Sequence, residues 1–316
     1  MFDLTAKRFT DKDAARKHLE AVRWPDGPIC PHCGSVNNAN RIKGKSARPG
    51  LWFCADCRTQ FTVTVGTVFE RSKVPLHKWL LAVHLLSASK KGMSAHQMHR
   101  MLGVTYKTAW FMMHRIREAM IADGSDPLGG TGKIVEADET YFGNKDEHTP
   151  SPQRKGKPYL KRKPVSKRAV VSLVERGGSV RTFHVTGSVN AATVRDILVR
   201  NVSRDTTLHT DESRLYTRTG EEYATHETVK HTAGEYVRNK TIHTNTVEGY
   251  FSIFKRGMKG VYQHCGEQHL QRYITEFDFR YNGRAITDQE RADIALQGIG
   301  GKRLTYRRAN GQEATA

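Results

Sequence analysis

Two Cys-x-x-Cys knuckles, CPHC at residues 30–33 and CADC at 54–57, constrain the fold of this chain more than any other feature. Separated by 20 residues, they can bring the thiolates of Cys30, Cys33, Cys54 and Cys57 tetrahedrally around one Zn²⁺. A turn residue follows each knuckle, Gly34 and Arg58, and LWFCADCRTQFTVTVGTVF alternates like the strands of a hairpin. The pattern predicts a zinc ribbon over residues 26–70. Disulfides would be the other use of paired cysteines, but they belong to exported chains, and the opening MFDLTAKRFTDKDAARKHLE lacks the apolar core of a secretory signal. A cytoplasmic protein without a membrane partner is expected, since no apolar run approaches the roughly 20 residues that span a bilayer. The remaining cysteine, Cys265, reads as an ordinary thiol.

With 51 Lys and Arg against 32 acids, the formal charge is +19, so the surface attracts polyanions, nucleic acid first among them. Before the ribbon, residues 1–25 carry a short helix over 10–22 with Thr10 as its N-cap. After it, residues 71–124 read as a helical DNA-binding domain. PLHKWLLAVHLLSAS has helical apolar spacing, and GMSAHQMHRMLGVTYKTAWFMMHRIREAM reads as helix, tight turn, helix. Ser94 and Thr105 are the expected caps, Met98, Met101 and Leu102 the inner face of the first helix, and Trp110, Met113 and Ile116 that of the second. Lys107, His114, Arg115 and Arg117 are assigned to the outward, groove-facing side, as in a helix-turn-helix. The methionine stripe, Met112 included, reads as core filling.

DGSDPLGGTG, residues 123–132, has turn chemistry throughout and reads as a linker. Beyond it, residues 133–282 give three strands, a helix, a strand, a short helix, a strand and two helices. A meander followed by alternating strands and helices is the order of a ribonuclease-H-like α/β core. Between its first two strands lies an insertion, 144–168. It holds eight Lys or Arg and no acid from Arg154 to Arg168. Arg154, Lys155, Lys157, Lys161, Arg162 and Lys163 are expected to contact phosphates. Residues 283–316 are read as a basic C-terminal tail, disordered over its last stretch, GGKRLTYRRANGQEATA.

Against this basic background stands GKIVEADETYFG, residues 132–143. Asp138 occupies the middle of a strand, where Asp is disfavoured, and Asp211 ends the strand TLHTD. In the proposed fold these strands are neighbours, so the carboxylates converge and repel unless a cation neutralises them; hard oxygen donors suit Mg²⁺ or Mn²⁺. A third ligand is expected from the helix NTVEGYFSIFK, where Asn245 and Glu248 share a face and charge favours Glu248. Lys255, seven residues after Glu248, points the same way. Glu136 and Glu139 are placed on the opposite strand face from Asp138, as solvated or supporting side chains. Tyr141, Tyr216 and Tyr250 are read as packing beside the sheet, and His209 and His264 as structural or exposed.

The chain resembles bacterial insertion-sequence transposases of the zinc-ribbon, ISXO type. The resemblance is carried by CPHCG, FCADCRTQF, PLHKWLLAVHLL, GMSAHQMHRMLGVTYKTAWFMMHRIREAM, VEADETYFG, HTDESRLY, NTVEGYFSIFKRGMKGVYQH and RYITEFDFRYN, in the expected order over nearly the whole chain. It implies a DDE transposase with Asp138 and Asp211 as metal ligands, a third position filled in such enzymes by Glu, Asn or His, and Lys255 as the following basic residue. It also implies two Mg²⁺ or Mn²⁺ ions, DNA cleavage and strand transfer, double-stranded DNA as partner in the form of terminal inverted repeats and target, a homodimer or larger oligomer, and a place on the bacterial nucleoid. Two rival readings share some of these features. A sequence-specific DNA-binding regulator would use only the N-terminal modules, and a ribonuclease-H-like nuclease or resolvase would cleave without strand transfer.

Overall fold

A computed structural model describes residues 3–44, 46–122, 126–144, 167–230, 237–239 and 241–305. They form two compact units: the described residues up to 122 together with those from 283 to 305, and the described residues between 126 and 282.

The first unit opens with α1 (Lys7–Thr10) and α2 (Lys12–Arg23). Thr10 ends α1, and the cap of α2 is Asp11, whose carboxylate accepts from Ala14 N at 2.7 Å. The ribbon follows as β1 (Ala39–Arg41), β2 (Trp52–Cys54) and β3 (Gln60–Phe61), an antiparallel sheet in that order. Trp24, just past α2, meets Trp52 and Phe61 edge-on at 6.0 and 5.8 Å. From α2 itself, Glu20 accepts from Arg41 at 2.6 Å. The small ribbon thus leans on the helix that precedes it.

Next come α3 (Leu76–Ala88), α4 (Ala95–Leu102) and α5 (Tyr106–Ala119). Ser94 caps α4 by accepting from Gln97 N at 3.1 Å, and Thr105 caps α5 by accepting from Thr108 N at 3.2 Å. Between them Gly103 takes the left-handed conformation, φ +59°, that an L side chain adopts only with strain. Two expectations fail here. Met101 is 49% exposed, on the outer side of α4, whereas Met98, Met112 and Met113 are core. More consequentially, His114, Arg115 and Arg117 are buried, so they do not form an outward face on α5. The second half of α5 is enclosed by its neighbours. Arg115 donates to the Glu70 carbonyl at 2.8 Å and lies over the rings of Trp79 and Phe111, while the His114 ring lies 4.1 Å from that of Trp110. Only the first turn of α5, with Tyr106 and Lys107, is exposed.

The second unit is β4 (Ile134–Asn144), β5 (Lys167–Glu175), β6 (Val180–Val185), α6 (Ala191–Asn201), β7 (Thr207–Asp211), α7 (Thr217–Gly220), β8 (Thr225–Val229), α8 (Asn245–Gly257) and α9 (Leu270–Asn282). Its five strands are ordered β6-β5-β4-β7-β8. The meander β4–β5–β6 is antiparallel, and β4, β7 and β8 run parallel. This is the arrangement the element order predicts, a mixed α/β sheet covered on both faces. On one face Val135, Ala137, Leu173 and Leu208 pack against Val194 and Leu198 of α6 and against Tyr216. On the other, Phe142, Val170 and Val174 pack against Val247, Tyr250 and Phe254 of α8 and Ile274 and Phe277 of α9. Buried on both sides, β5 reads as an apolar run rather than an alternation. The basic residues Arg154, Lys155, Lys157, Lys161, Arg162 and Lys163 lie outside the described residues. Arg168, at the end of that insertion, is buried in β5 and donates to the Cys265 carbonyl.

Past residue 282 the chain returns to the first unit and forms α10 (Asp288–Gln297), a helix within what the sequence reading takes as a basic tail. Thr287 and Glu290 make a full capping box, and α10 packs against α3, α2 and α5 through Ala292, Ala295 and Leu296. Ile299, fully buried, accepts from Val68 N at 3.1 Å.

Candidate active site and metal centre

The acids of the second unit are placed by strand register. Glu136 on β4 pairs with His209 on the parallel neighbour β7, and two residues further along each strand stand Asp138 and Asp211. Side chains two apart share a strand face, so both aspartates point to the side covered by α8. From α8 come Glu248, Phe251, Ser252 and Lys255, spaced three, four and seven apart and therefore on one helical stripe. Asp138, Glu139, Thr140, Asp211 and these four residues line a single open cavity of about 470 Å³.

Its electrostatics match a cation site. Burial, then the charges of Asp211, Glu139 and Glu248, push the Asp138 carboxyl up to about 8. Burial also raises Glu139, against the hydrogen bond it receives from Tyr216. Crowded carboxylates that favour a proton when alone favour a divalent ion when one is supplied. Oxygen-only donors of this kind fit Mg²⁺ or Mn²⁺. Glu248 is steadied by Thr244, whose hydroxyl donates to Glu248 Oε1 at 3.1 Å.

Of the candidates for this site, Asp138, Asp211, Glu248 and Lys255 are brought together. Asn245 sits exposed in the first turn of α8 and does not line the cavity. Glu136 is not on the opposite face of β4 from Asp138: it shares that face, is fully buried, and binds the start of α8. The period-two rule, applied from Asp138 back to residue 136, is the signal that locates it. Glu139 does lie on the other face, but its carboxylate reaches the cavity rim and accepts from buried Tyr216. Tyr250 is buried and donates to Asp278 at 2.5 Å, and Tyr141 is 49% exposed. His209 is buried beside Arg176, at 3.1 Å, and has no place in the cavity lining.

In the first unit, the sulfurs of Cys30, Cys33, Cys54 and Cys57 all lie within 4.8 Å of one another. Cys30–Cys57 and Cys33–Cys54 are each 3.6 Å apart. A tetrahedron with Zn–S bonds of about 2.3 Å has edges of about 3.8 Å, whereas a disulfide would need about 2.05 Å. The thiols fit a metal. Asp56 ties the knuckles together by accepting from Asn38 at 2.6 Å and from Ser35. No described helix is long and apolar enough to cross a membrane.

Comparison with known proteins places this architecture. The ISXO2-like transposase domain matches residues 127–282, and the transposase zinc-ribbon domain matches residues 10–60. A protein of the transposable element ISH50 of Halobacterium salinarum is 30% identical over 281 residues, covering 87% of this chain and 92% of its own. Among solved structures, the Mos1 transposase paired-end complex with left transposon end is 14% identical, with a TM-score of 0.28 over 70% of this chain and 74% of that one. The mariner Mos1 paired-end complex with Mg gives 14% identity and a TM-score of 0.25 over 73% and 80%. Superpositions that loose add nothing about residues. The two domain matches and the near full-length relative do: this chain belongs to the ISXO2-like family of zinc-ribbon transposases.

Proposed function

We propose that the protein binds the terminal inverted repeats of an insertion sequence, cuts DNA at their ends, and joins the freed ends to target DNA. The observation that carries this reading is the convergence of Asp138, Asp211, Glu248 and Lys255, from three separate elements, on one open cavity. Asp138 and Asp211 would hold the divalent ions, with Glu248 as the third carboxylate. Two such ions, when bound, supply Lewis-acid stabilisation and an activated water for in-line displacement at phosphorus. Lys255 offers its ammonium to the phosphate from the stripe of α8 that bears Glu248. No side chain has to attack DNA, so neither Ser252 nor a tyrosine is assigned a covalent role. The first cut frees a 3′-OH, which becomes the attacking group in the joining step at the same carboxylates.

DNA binding is assigned to the first unit. Zn²⁺ held by the four cysteines would fix the ribbon, and α4–α5 would serve as a helix-turn-helix. Its contact surface is the exposed first turn of α5, with Tyr106 and Lys107. A dimer is expected, because two element ends must be held together.

The test uses the purified full chain, duplex oligonucleotides carrying the inverted repeats that flank its gene, and Mg²⁺. Nicked ends and joined products are expected from the parental protein and neither from Asp138→Asn. Failure of the parental protein to cut in both Mg²⁺ and Mn²⁺ overturns the reading, and cutting without joining reduces it to a nuclease.

A further inference from the structure

The first amides of a helix have no partner within it, and a side chain at the N-cap normally supplies one. Thr244 is the N-cap of α8 but makes no capping bond; its hydroxyl is turned to Glu248. Glu136, more than a hundred residues earlier, supplies the cap instead. Its Oε2 accepts from Thr246 N at 2.8 Å and Val247 N at 3.0 Å, and its Oε1 accepts from the Thr246 hydroxyl at 2.8 Å. A buried carboxylate needs a counter-charge, and Arg176, in the turn between β5 and β6, provides it with Nε 2.6 Å from Oε1. The same guanidinium donates to the carbonyls of Thr241 at 2.6 Å and His243 at 2.8 Å, in the segment leading into α8. Its Nη2 lies 3.1 Å from Nδ1 of His209 and 2.9 Å from Nδ1 of His243.

We infer that Glu136, held by Arg176, is a positioning residue that fixes the start of α8 to the strand bearing Asp138 and thereby sets where Glu248 and Lys255 stand relative to that aspartate. This rests on the proposed function for its meaning in catalysis, although the clamp itself does not. Glu136 and Asp138 are two residues apart on one strand face, so one rigid segment grips the helix and presents the first acid. Thr244 is thereby released from capping to steady Glu248.

The test compares Glu136→Ala, which removes the acceptors, with Glu136→Gln, which keeps an amide oxygen for the two backbone donors. Because Glu136→Ala leaves the partly buried Arg176 without its carboxylate, Thr246→Pro serves as a second route. It deletes two donors from the helix side, the Thr246 amide and hydroxyl, at a first-turn position that tolerates proline. Three measurements are made on the full chain: hydrogen exchange over residues 245–250, Mn²⁺ binding by electron paramagnetic resonance, and cleavage at saturating terminal DNA. For Glu136→Ala, exchange is expected to accelerate, Mn²⁺ half-saturation to rise about fivefold, and cleavage to slow about thirtyfold, the scale of a sub-ångström misplacement. Affinity for terminal DNA stays within about twofold, because the contacts assigned to the first unit are untouched. Glu136→Gln, whose oxygen still meets the two backbone amides but whose NH2 faces the Arg176 Nε–H, is expected to recover part of each loss, and Thr246→Pro to fall below the parent. Parental exchange and Mn²⁺ binding in a folded Glu136→Ala or Thr246→Pro protein overturn the inference. If the parental chain cuts no DNA, the proposed function fails while exchange still decides the clamp.

Discussion

Tyr216 donates its phenolic proton to Glu139 Oε2 over 2.7 Å, from a side chain with no exposed surface. Glu139 is thereby held at the cavity rim by a hydroxyl from the opposite face of the sheet. Tyr216→Phe is expected to fold and to lose about 1–2 kcal/mol of stability, the cost of leaving a half-buried carboxylate one donor short. Urea denaturation measures it. A variant as stable as the parent would mean that Glu139 finds water there.

Asp138, pushed up to about 8 by burial and by neighbouring acids, keeps its proton at pH 7 in the metal-free protein. A divalent ion must displace that proton. Apparent metal affinity is therefore expected to rise with pH from 6 to 8, by up to about tenfold per unit, and to level off above. Calorimetry in buffers of different ionisation enthalpy reads the released proton directly. Asp138→Asn should bind metal weakly and without that slope.

The two side chains offered by the first turn of α8 separate cleanly by location. Glu248 lines the cavity, and Asn245 is exposed outside its lining. Glu248→Ala is expected to slow cleavage at least about a hundredfold, and Asn245→Ala no more than about threefold, at saturating metal and DNA. The opposite order would make the amide the third ligand.

Asp278 is half-buried and accepts from Tyr250 OH at 2.5 Å and Thr182 N at 2.8 Å. Burial raises it from 3.8 to about 7, against those hydrogen bonds. The folded protein thus binds a proton more tightly than the unfolded one. The resulting stabilisation is complete below about pH 4 and is lost as pH climbs through 7. Stability of the second unit should fall over that range by a few kcal/mol at most. Asp278→Asn should flatten the fall, because its amide can donate to the Tyr250 oxygen while its carbonyl still accepts from Thr182 N. Thermal unfolding at a series of pH values is the measurement.

The legible parts of this molecule are those governed by local rules. Four thiols at knuckle spacing, the caps Ser94 and Thr105, and the alternation of strands and helices each follow from a short window of sequence. Arg115 and Arg117 were harder to place because a cation on a helix reads as solvated. Their burial depends on α3, α4 and α10 enclosing α5, and Arg115 on the Glu70 carbonyl and the Trp79 ring, which no short window contains. Glu136 was hidden differently. Its partner is a helix start more than a hundred residues away, visible only once β4 and α8 are in register. The capping signature TDQE at 287–290 does mark α10, but the basic composition that follows it masks the helix.

Chelation of zinc should loosen the ribbon without melting the sheet of the second unit. Trp24 and Trp52, packed edge-on within the first unit, report the change by fluorescence, and far-ultraviolet dichroism should fall only slightly. Collapse of both units on chelation would show the sheet to depend on the ribbon.

Because α10 completes a unit begun some 280 residues earlier, the order of events on the ribosome is set by the chain's own path. The five-stranded sheet can close as residues 124–282 emerge, whereas the helices flanking the ribbon must wait for residues 288–299 before their shared core is sealed. A nascent chain stalled at residue 282 would carry assembled carboxylates while the core of its first unit still stood open.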